Sequence, residues 1–196
     1  MDFRLAQIVA AIEKFDYSVS VVFSQSNEGG YQSSIIAVLD LFQSDAVLRH
    51  ISSILEGESN INLDKWLEEN AKPRGSMLGS GSYKLPDNTT ERIHLIKKFL
   101  MRIPENGENF VLNVAINWYP TTKITQMWDY LMNDFLKQFH RDVRNILIDL
   151  RVEAELSEKK QVSENMIINI LQGGGNIQNI QGDNNTDITQ TTPESE

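Results

Sequence analysis

Apolar side chains recur along this chain with two periods, and the period of each stretch assigns its element. Leu5, Ile8, Val9, Ile12 and Phe15 fall at the i, i+3, i+4, i+7 spacing of a helix with one buried stripe, predicting a first helix over about Asp2 to Lys14. Tyr17, Val19, Val21 and Phe23 then alternate with Ser18, Ser20, Val22 and Ser24. A period of two puts the larger side chains on one face of a strand, which the turn-rich run Gln25 to Gly30 ends. Helical spacing returns in Tyr31 to Phe42 (Ile35, Val38, Leu39, Phe42). Ser44 is placed as the N-cap of the next helix, which carries Val47, Leu48, Ile51, Ile54 and Leu55 and stops at Gly57. A shorter helix over Leu63 to Asn70 is built around Trp66 and Leu67.

Lys72 to Asn88 has no periodicity and is rich in Gly, Ser and Pro; a loop that long inside a compact domain is usually functional or mobile. Asn88 with Glu91 three residues on forms a capping signature, followed by Ile93, Ile96, Leu100 and Ile103 at helical spacing and a stop at Pro104. Phe110, Leu112, Val114, Ile116 and Trp118 alternate with Val111, Asn113, Ala115, Asn117 and Tyr119, a second strand pattern stronger than the first, closed by Pro120. From Thr122 to about Leu156, Trp128, Leu131, Phe135, Phe139, Val143, Ile146 and Leu150 are spaced by three or four. That predicts one helix of about thirty residues, on the order of 45 Å at 1.5 Å per residue. The fold expected is therefore α+β and predominantly helical: a small sheet packed with about six helices, the last one long, over residues 1–156. A linker over 157–164, an Asn/Gln/Gly-rich β-prone repeat over 165–190 and a disordered end over 191–196 follow.

Composition changes the picture mainly through charge. The chain has 196 residues, 18 Lys and Arg against 27 Asp and Glu, a net charge of −9 and no cysteine. That length suits one domain, the acidity disfavours coating nucleic acid by phosphate neutralisation, and without cysteine there are no disulfides, thiol nucleophiles or thiolate metal sites. From Gln161 to Glu196 there is no Lys or Arg and there are five acids, so that segment carries −5 and residues 1–160 a mild −4. The apolar stretch Leu5 to Ile12 is too short for a membrane span and lacks a cleavage site, so a cytoplasmic protein is expected.

Candidate chemistry in the body is sparse. Arg74-Gly-Ser-Met-Leu-Gly-Ser-Gly-Ser82 offers backbone N–H groups for an anion nest, with Arg74, Gly75, Ser76, Gly79, Ser80, Gly81 and Lys84 as candidate ligand-binding residues. It is not a P-loop, a dinucleotide fingerprint or a nucleophile elbow, and a flexible connection accounts for it equally. His50, His94 and His140 are isolated, have no metal-ligand spacing and are expected as solvated surface residues. Lys97, Lys98 and Arg102, and Lys137, Arg141, Arg144 and Arg151, form modest basic faces expected to be solvated. Trp66, Trp118 and Trp128 are expected in the core, and no cofactor is indicated.

Beyond Leu156 the chain turns to Asn, Gln, Gly and Ile and repeats itself at a shift of nine: Ile168 falls on Ile177, Leu171 on Ile180, Gln172 on Gln181 and Gly173 on Gly182. Each unit mixes β-branched residues with amides and ends in a turn, a plan for short strands joined by tight arcs. Stacked in register with copies of itself, such a segment forms amide ladders and dry Ile seams, making Ile168, Ile170, Leu171, Gln172, Ile177, Gln178, Ile180, Gln181, Gly182 and Asn184 candidate self-association residues. Asn179-Ile-Gln-Gly-Asp-Asn-Asn185 resembles the RHIM-related amyloid signalling motifs that end some bacterial proteins of immune-like systems, although Ile180-Gln181-Gly182 lacks the second aliphatic residue of their core. The resemblance implies cross-β assembly with further copies or with a second protein carrying a matching C-terminal motif, in bacterial defence. In that family the effector domain is wholly helical and acts on membranes, which the two strands expected at 17–24 and 110–118 do not fit. A polar disordered tail, a small β-solenoid and a trimeric β-wrap remain alternative readings of the same residues. The function expected is non-enzymatic self-association or partner recruitment; the alternative is a small enzyme or binding protein holding a phosphorylated ligand with loop 74–84.

Overall fold

The structure, a computed structural model, describes residues 2–58, 61–70, 83–157 and 161–173. A short strand β1 (Asp2–Arg4) leads into α1 (Leu5–Phe23), α2 (Glu28–Ser44), α3 (Ala46–Glu58), α4 (Leu63–Asn70) and α5 (Thr89–Trp118). Then come α6 (Ile124–Leu131), a π-turn (Met132–Leu136), α7 (Lys137–Leu156), β2 (Gln161–Ser163) and α8 (Glu164–Gly173). Caps explain several boundaries. The Asn27 and Asn88 side chains accept the Gly30 and Glu91 N–H groups at 2.8 and 3.0 Å, starting α2 and α5. The N-cap expected at Ser44 is taken by Asp45, whose carboxylate accepts from the Val47 and Leu48 amides, while Ser44 donates back to the Asp40 carbonyl at 2.8 Å. A carboxylate satisfies two amides at once and suits the positive end of the helix better than a hydroxyl.

Both expected strands are helical. α1 runs unbroken through 17–23, and its buried set is Ile8, Ala11, Phe15, Val19 and Val22, a single 3.6-residue stripe facing α2 and α7. Tyr17, counted as an inward strand residue, is 72% exposed. The second strand is the end of α5, where Val111, Val114, Ala115 and Trp118 are buried and Ile116 faces out. In both stretches β-branched residues fill a period of two and a period of 3.6 together, and packing against neighbouring helices selects the second. The α+β class accordingly reduces to a helical bundle with one two-stranded antiparallel sheet, β1 on β2, pairing Phe3 with Val162. The first helix starts at Leu5 because Asp2–Arg4 is in that sheet.

α5 is the axis of the molecule, packed by α2, α3, α4, α6, α7 and α8. Ile93, Leu95, Ile96, Phe99, Leu100 and Ile103 are all fully buried, so this half of the helix has almost no solvent face. It does not stop at Pro104; the axis breaks at Gly107, whose φ of 61° and ψ of −151° only glycine adopts easily, and resumes to Trp118. The long C-terminal helix is present over Ile124–Leu156, interrupted by the π-turn. Leu131, Phe135, Phe139 and Val143 are each four apart, so their stripe drifts by about 40° per step on a regular helix. One extra residue in a wide turn offsets about 100° of that drift and keeps Met132, Phe135, Leu136 and Phe139 in the core. Phe135 then sits 4.4 Å from the Phe99 ring and 5.6 Å from Trp118, nearly parallel to both, and Trp66 closes the cluster edge-on. Trp66, Trp118 and Trp128 are all buried, as their spacing indicates.

Candidate functional site

The π-turn and the first turns of α7 form one wall of a groove of about 610 Å³, with Tyr83 opposite. Tyr83 is held by its ring, 4.6 Å from Trp118 and 5.2 Å from Phe135, and its hydroxyl donates to Asp134 Oδ2 at 2.5 Å. Tyr119 donates to the same oxygen at 2.9 Å. Burial pushes both phenols above the ordinary tyrosine range; the Asp134 carboxylate adds to the effect on Tyr83, and the Tyr83 hydroxyl, then Asp134, add to it on Tyr119. These phenols are donors and not bases near neutral pH. Along the same groove His140 Nε2 lies 2.6 Å from Asp16 Oδ1 and Arg144 Nε donates to Asp16 Oδ2 at 3.0 Å. Burial raises the Asp16 carboxyl, but the bonds from His140 and Arg144 outweigh it and leave it below the usual carboxylate range. Asp16 lies on α1, so this cluster also fastens α1 to α7.

Arg141 and Asn145 line this groove and also a second cavity of about 470 Å³ between the start of α5, α7 and α8. Its floor is an ion pair, Arg92 Nε to Asp142 Oδ2 at 2.6 Å. Arg92 also donates to the Pro86 and Asp87 carbonyls at 2.8 and 2.9 Å, and Gln138 donates to both Asp142 oxygens at 2.9 Å. With these bonds Asp142 and Arg92 satisfy each other, so this cavity is nearly neutral. Asp149 at its rim has its carboxyl raised by burial and then by Glu153. The Thr90 hydroxyl donates to the Leu171 carbonyl at 2.9 Å, tying α8 to the first turn of α5.

Of the expected ligand-binding residues, Arg74, Gly75, Ser76, Gly79, Ser80 and Gly81 lie outside the described residues. Lys84 is described; its ammonium donates to Asp87 at 2.9 Å and lines neither cavity. Of the expected self-association residues, Ile168, Ile170, Leu171 and Gln172 are in α8. Strands were expected for that first repeat unit, but Ile167, Ile170 and Leu171 are spaced three and four apart and make a helical stripe that packs on the body. Ile177, Gln178, Ile180, Gln181, Gly182 and Asn184 lie outside the described residues.

The histidines and one basic face depart from the surface reading. His94 is 4% exposed, with Nδ1 unpartnered. Burial, then Lys98 and Lys97, push its pKa down to about 4. Lys97 is buried beside it, donating to the Ser52 hydroxyl and to Glu56 at 2.8 Å. Both depart for one reason: the first half of α5 is enclosed on every side. His140 is the histidine that reaches a polar cluster. Its partner Asp16 is 124 residues away, and no local pattern marks the pair. The basic spacing Lys137, Arg141, Arg144 was the one legible signal of this groove.

Among the described residues no group of three or more His, Asp or Glu is placed to hold a metal ion, and no helix is long and apolar enough to cross a membrane. Comparison with protein-family models, curated proteins and solved structures finds no match.

Proposed function

We propose that this chain is an interaction or signalling protein, a helical body joined to a C-terminal segment that assembles with copies of itself or with a partner carrying a matching motif. The observation that carries the reading is where the described fold stops. α8 is fastened by Ile167, Leu171 and the Thr90 bond, and after Gly173 the chain passes directly into Asn176-Ile-Gln-Asn-Ile-Gln-Gly-Asp-Asn-Asn185. A helical body also removes the mismatch with the helical effectors of the amyloid-signalling family, which rested on the two expected strands. The reading places the protein in a bacterial defence-type system in the cytoplasm, with Ile177, Gln178, Ile180, Gln181, Gly182 and Asn184 as the assembling set.

The test is truncation after Gly173. Cutting at Gln161 would also strip β2 and α8 from the body and confuse unfolding with loss of assembly. Light scattering should find full-length protein in a larger assembly than residues 1–173, with the replacement of Ile177 and Ile180 by Lys acting like the truncation. Equal monomeric masses for all three would refute the reading.

A further inference from the structure

We propose that the groove along the start of α7 is a binding site for a hydroxylated phosphate ester, a small sugar-phosphate-like molecule whose phosphate is held by Lys137, Arg141 and Arg144. These residues sit at i, i+4 and i+7, on one face of the helix. They concentrate positive charge in a chain whose net charge is −9. The acids nearby do not neutralise it. Asp16 is shared between Arg144 and His140. Asp142 turns to Arg92 at 2.6 Å and lies 3.8 Å from Arg141. Lys137 makes no ion pair among the described residues. Two neighbouring cations are thus left without a committed anion, an arrangement that costs a few tenths of a kcal/mol on a helix and that a bound dianion reverses.

The rest of the groove suits the remainder of such a molecule. Its volume of about 610 Å³ is the size of a small-ligand site, and its lining is polar, with the amides of Asn133 and Asn145 beside the cations. Asp134 Oδ2 holds the two phenols, while Oδ1 accepts no hydrogen bond among the described residues and is available to a ligand hydroxyl. Asp134 precedes Arg141 by seven residues, about 10 Å along the axis, a distance that a phosphorylated pentose or hexose spans. A carboxylate at one end and cations at the other orient the ligand, and the same carboxylate disfavours a purely anionic one.

The experiment is calorimetric titration of the full-length chain with ribose 5-phosphate, inorganic phosphate and ribose at matched ionic strength. Saturable binding of the ester, weaker binding of phosphate and none of ribose is expected. Lys137→Gln with Arg141→Gln, both on the solvent side, should weaken the ester at least about tenfold. Asp134→Asn should weaken the ester and leave phosphate unchanged; if that variant fails to fold, Asn133→Ala with Asn145→Ala serves the same comparison. No saturable binding of ester or phosphate up to about 10 mM, or equal binding by the double-glutamine variant, overturns the site. A ten-residue oligonucleotide that outcompetes the ester through the same cations overturns its assignment to a small molecule.

Discussion

His94 carries an unpartnered ring nitrogen into the interior, next to the ammonium groups of Lys97 and Lys98. The neutral ring is tolerated there and the charged ring is not. With a folded pKa of about 4 against 6.5 unfolded, its contribution is complete above pH 6.5 and is lost as pH falls toward 4, up to about 3 kcal/mol. The urea midpoint of the wild type should therefore fall more steeply over that window than that of His94→Phe, and equal slopes would exclude His94 as the cause. Lys97 is the complementary case, with Ser52 and Glu56 as partners and the Phe42 ring 5.8 Å beneath its ammonium. Its hydrogen bond holds the Glu56 carboxyl below the usual range, so that contribution is present near neutral pH and disappears as Glu56 protonates in acid. Glu56→Ala strands a buried cation, whereas Lys97→Met leaves Glu56, with 61% of its side chain exposed, to water. Chemical denaturation at pH 7 should find the first substitution the more destabilising. Neither residue's setting was legible in the sequence, because a polar side chain on an amphipathic-looking helix reads as surface until the helices around α5 are in place.

At the scale of elements, the 3.6-residue stripes were legible wherever a single period was present: α2, α3, α4 and the α6–α7 run lie close to their expected positions. The two failures, 17–23 and 110–118, are segments where Val and Ile satisfy both templates and only the neighbouring helices decide. The break in α5 was misplaced for a related reason. Proline was treated as a stop at 104, yet helices accommodate a kinking proline when the surroundings bury both halves, and the backbone leaves helical geometry at Gly107 instead. Gly107→Ala places a Cβ on a backbone with φ of 61° and ψ of −151° and should cost about 1–3 kcal/mol in urea unfolding, whereas a substitution at exposed Glu105 should cost under about 0.5 kcal/mol. The π-turn is the element that makes the candidate groove. It brings Asp134 between Tyr83 and Tyr119 while keeping Phe135 in the core. Asp134→Ala removes the acceptor of two phenols and should cost more stability than Tyr83→Phe, which removes one donor, by about 1–2 kcal/mol. The sequence held a trace of this turn in its three consecutive spacings of four; it held no trace of the two tyrosines that meet there.

For the whole molecule, the decisive contact joins the two ends of the described fold. β1 pairs with β2, Phe3 packs with Val162, and α8 lays Ile167 and Leu171 against α5 and α7. Burying Val162, Ile167 and Leu171 contributes about 1.5–3 kcal/mol each, a total comparable with the stability of an entire domain. Residues 1–156 should therefore lose cooperative thermal unfolding by circular dichroism, while 1–173 retains it with the full-length midpoint. The composition change after Leu156 hides this, because Asn and Gln dominate the count while three apolar residues do the packing. Beyond Gly173 the chain has four acids and no Lys or Arg, and parallel in-register assembly would stack Asp183 on Asp183 at about 4.8 Å. That spacing is shorter than the screening length of about 10 Å at 0.1 M salt, so repulsion between stacked carboxylates persists at moderate ionic strength and fades near 1 M, where the length is about 3 Å. Assembly measured by light scattering should accordingly increase with salt and on acidification toward pH 4, and Asp183→Asn should assemble at low salt where the wild type does not. An assembly strengthened by low salt would point instead to the cationic face of α7 meeting the acidic segment of another copy.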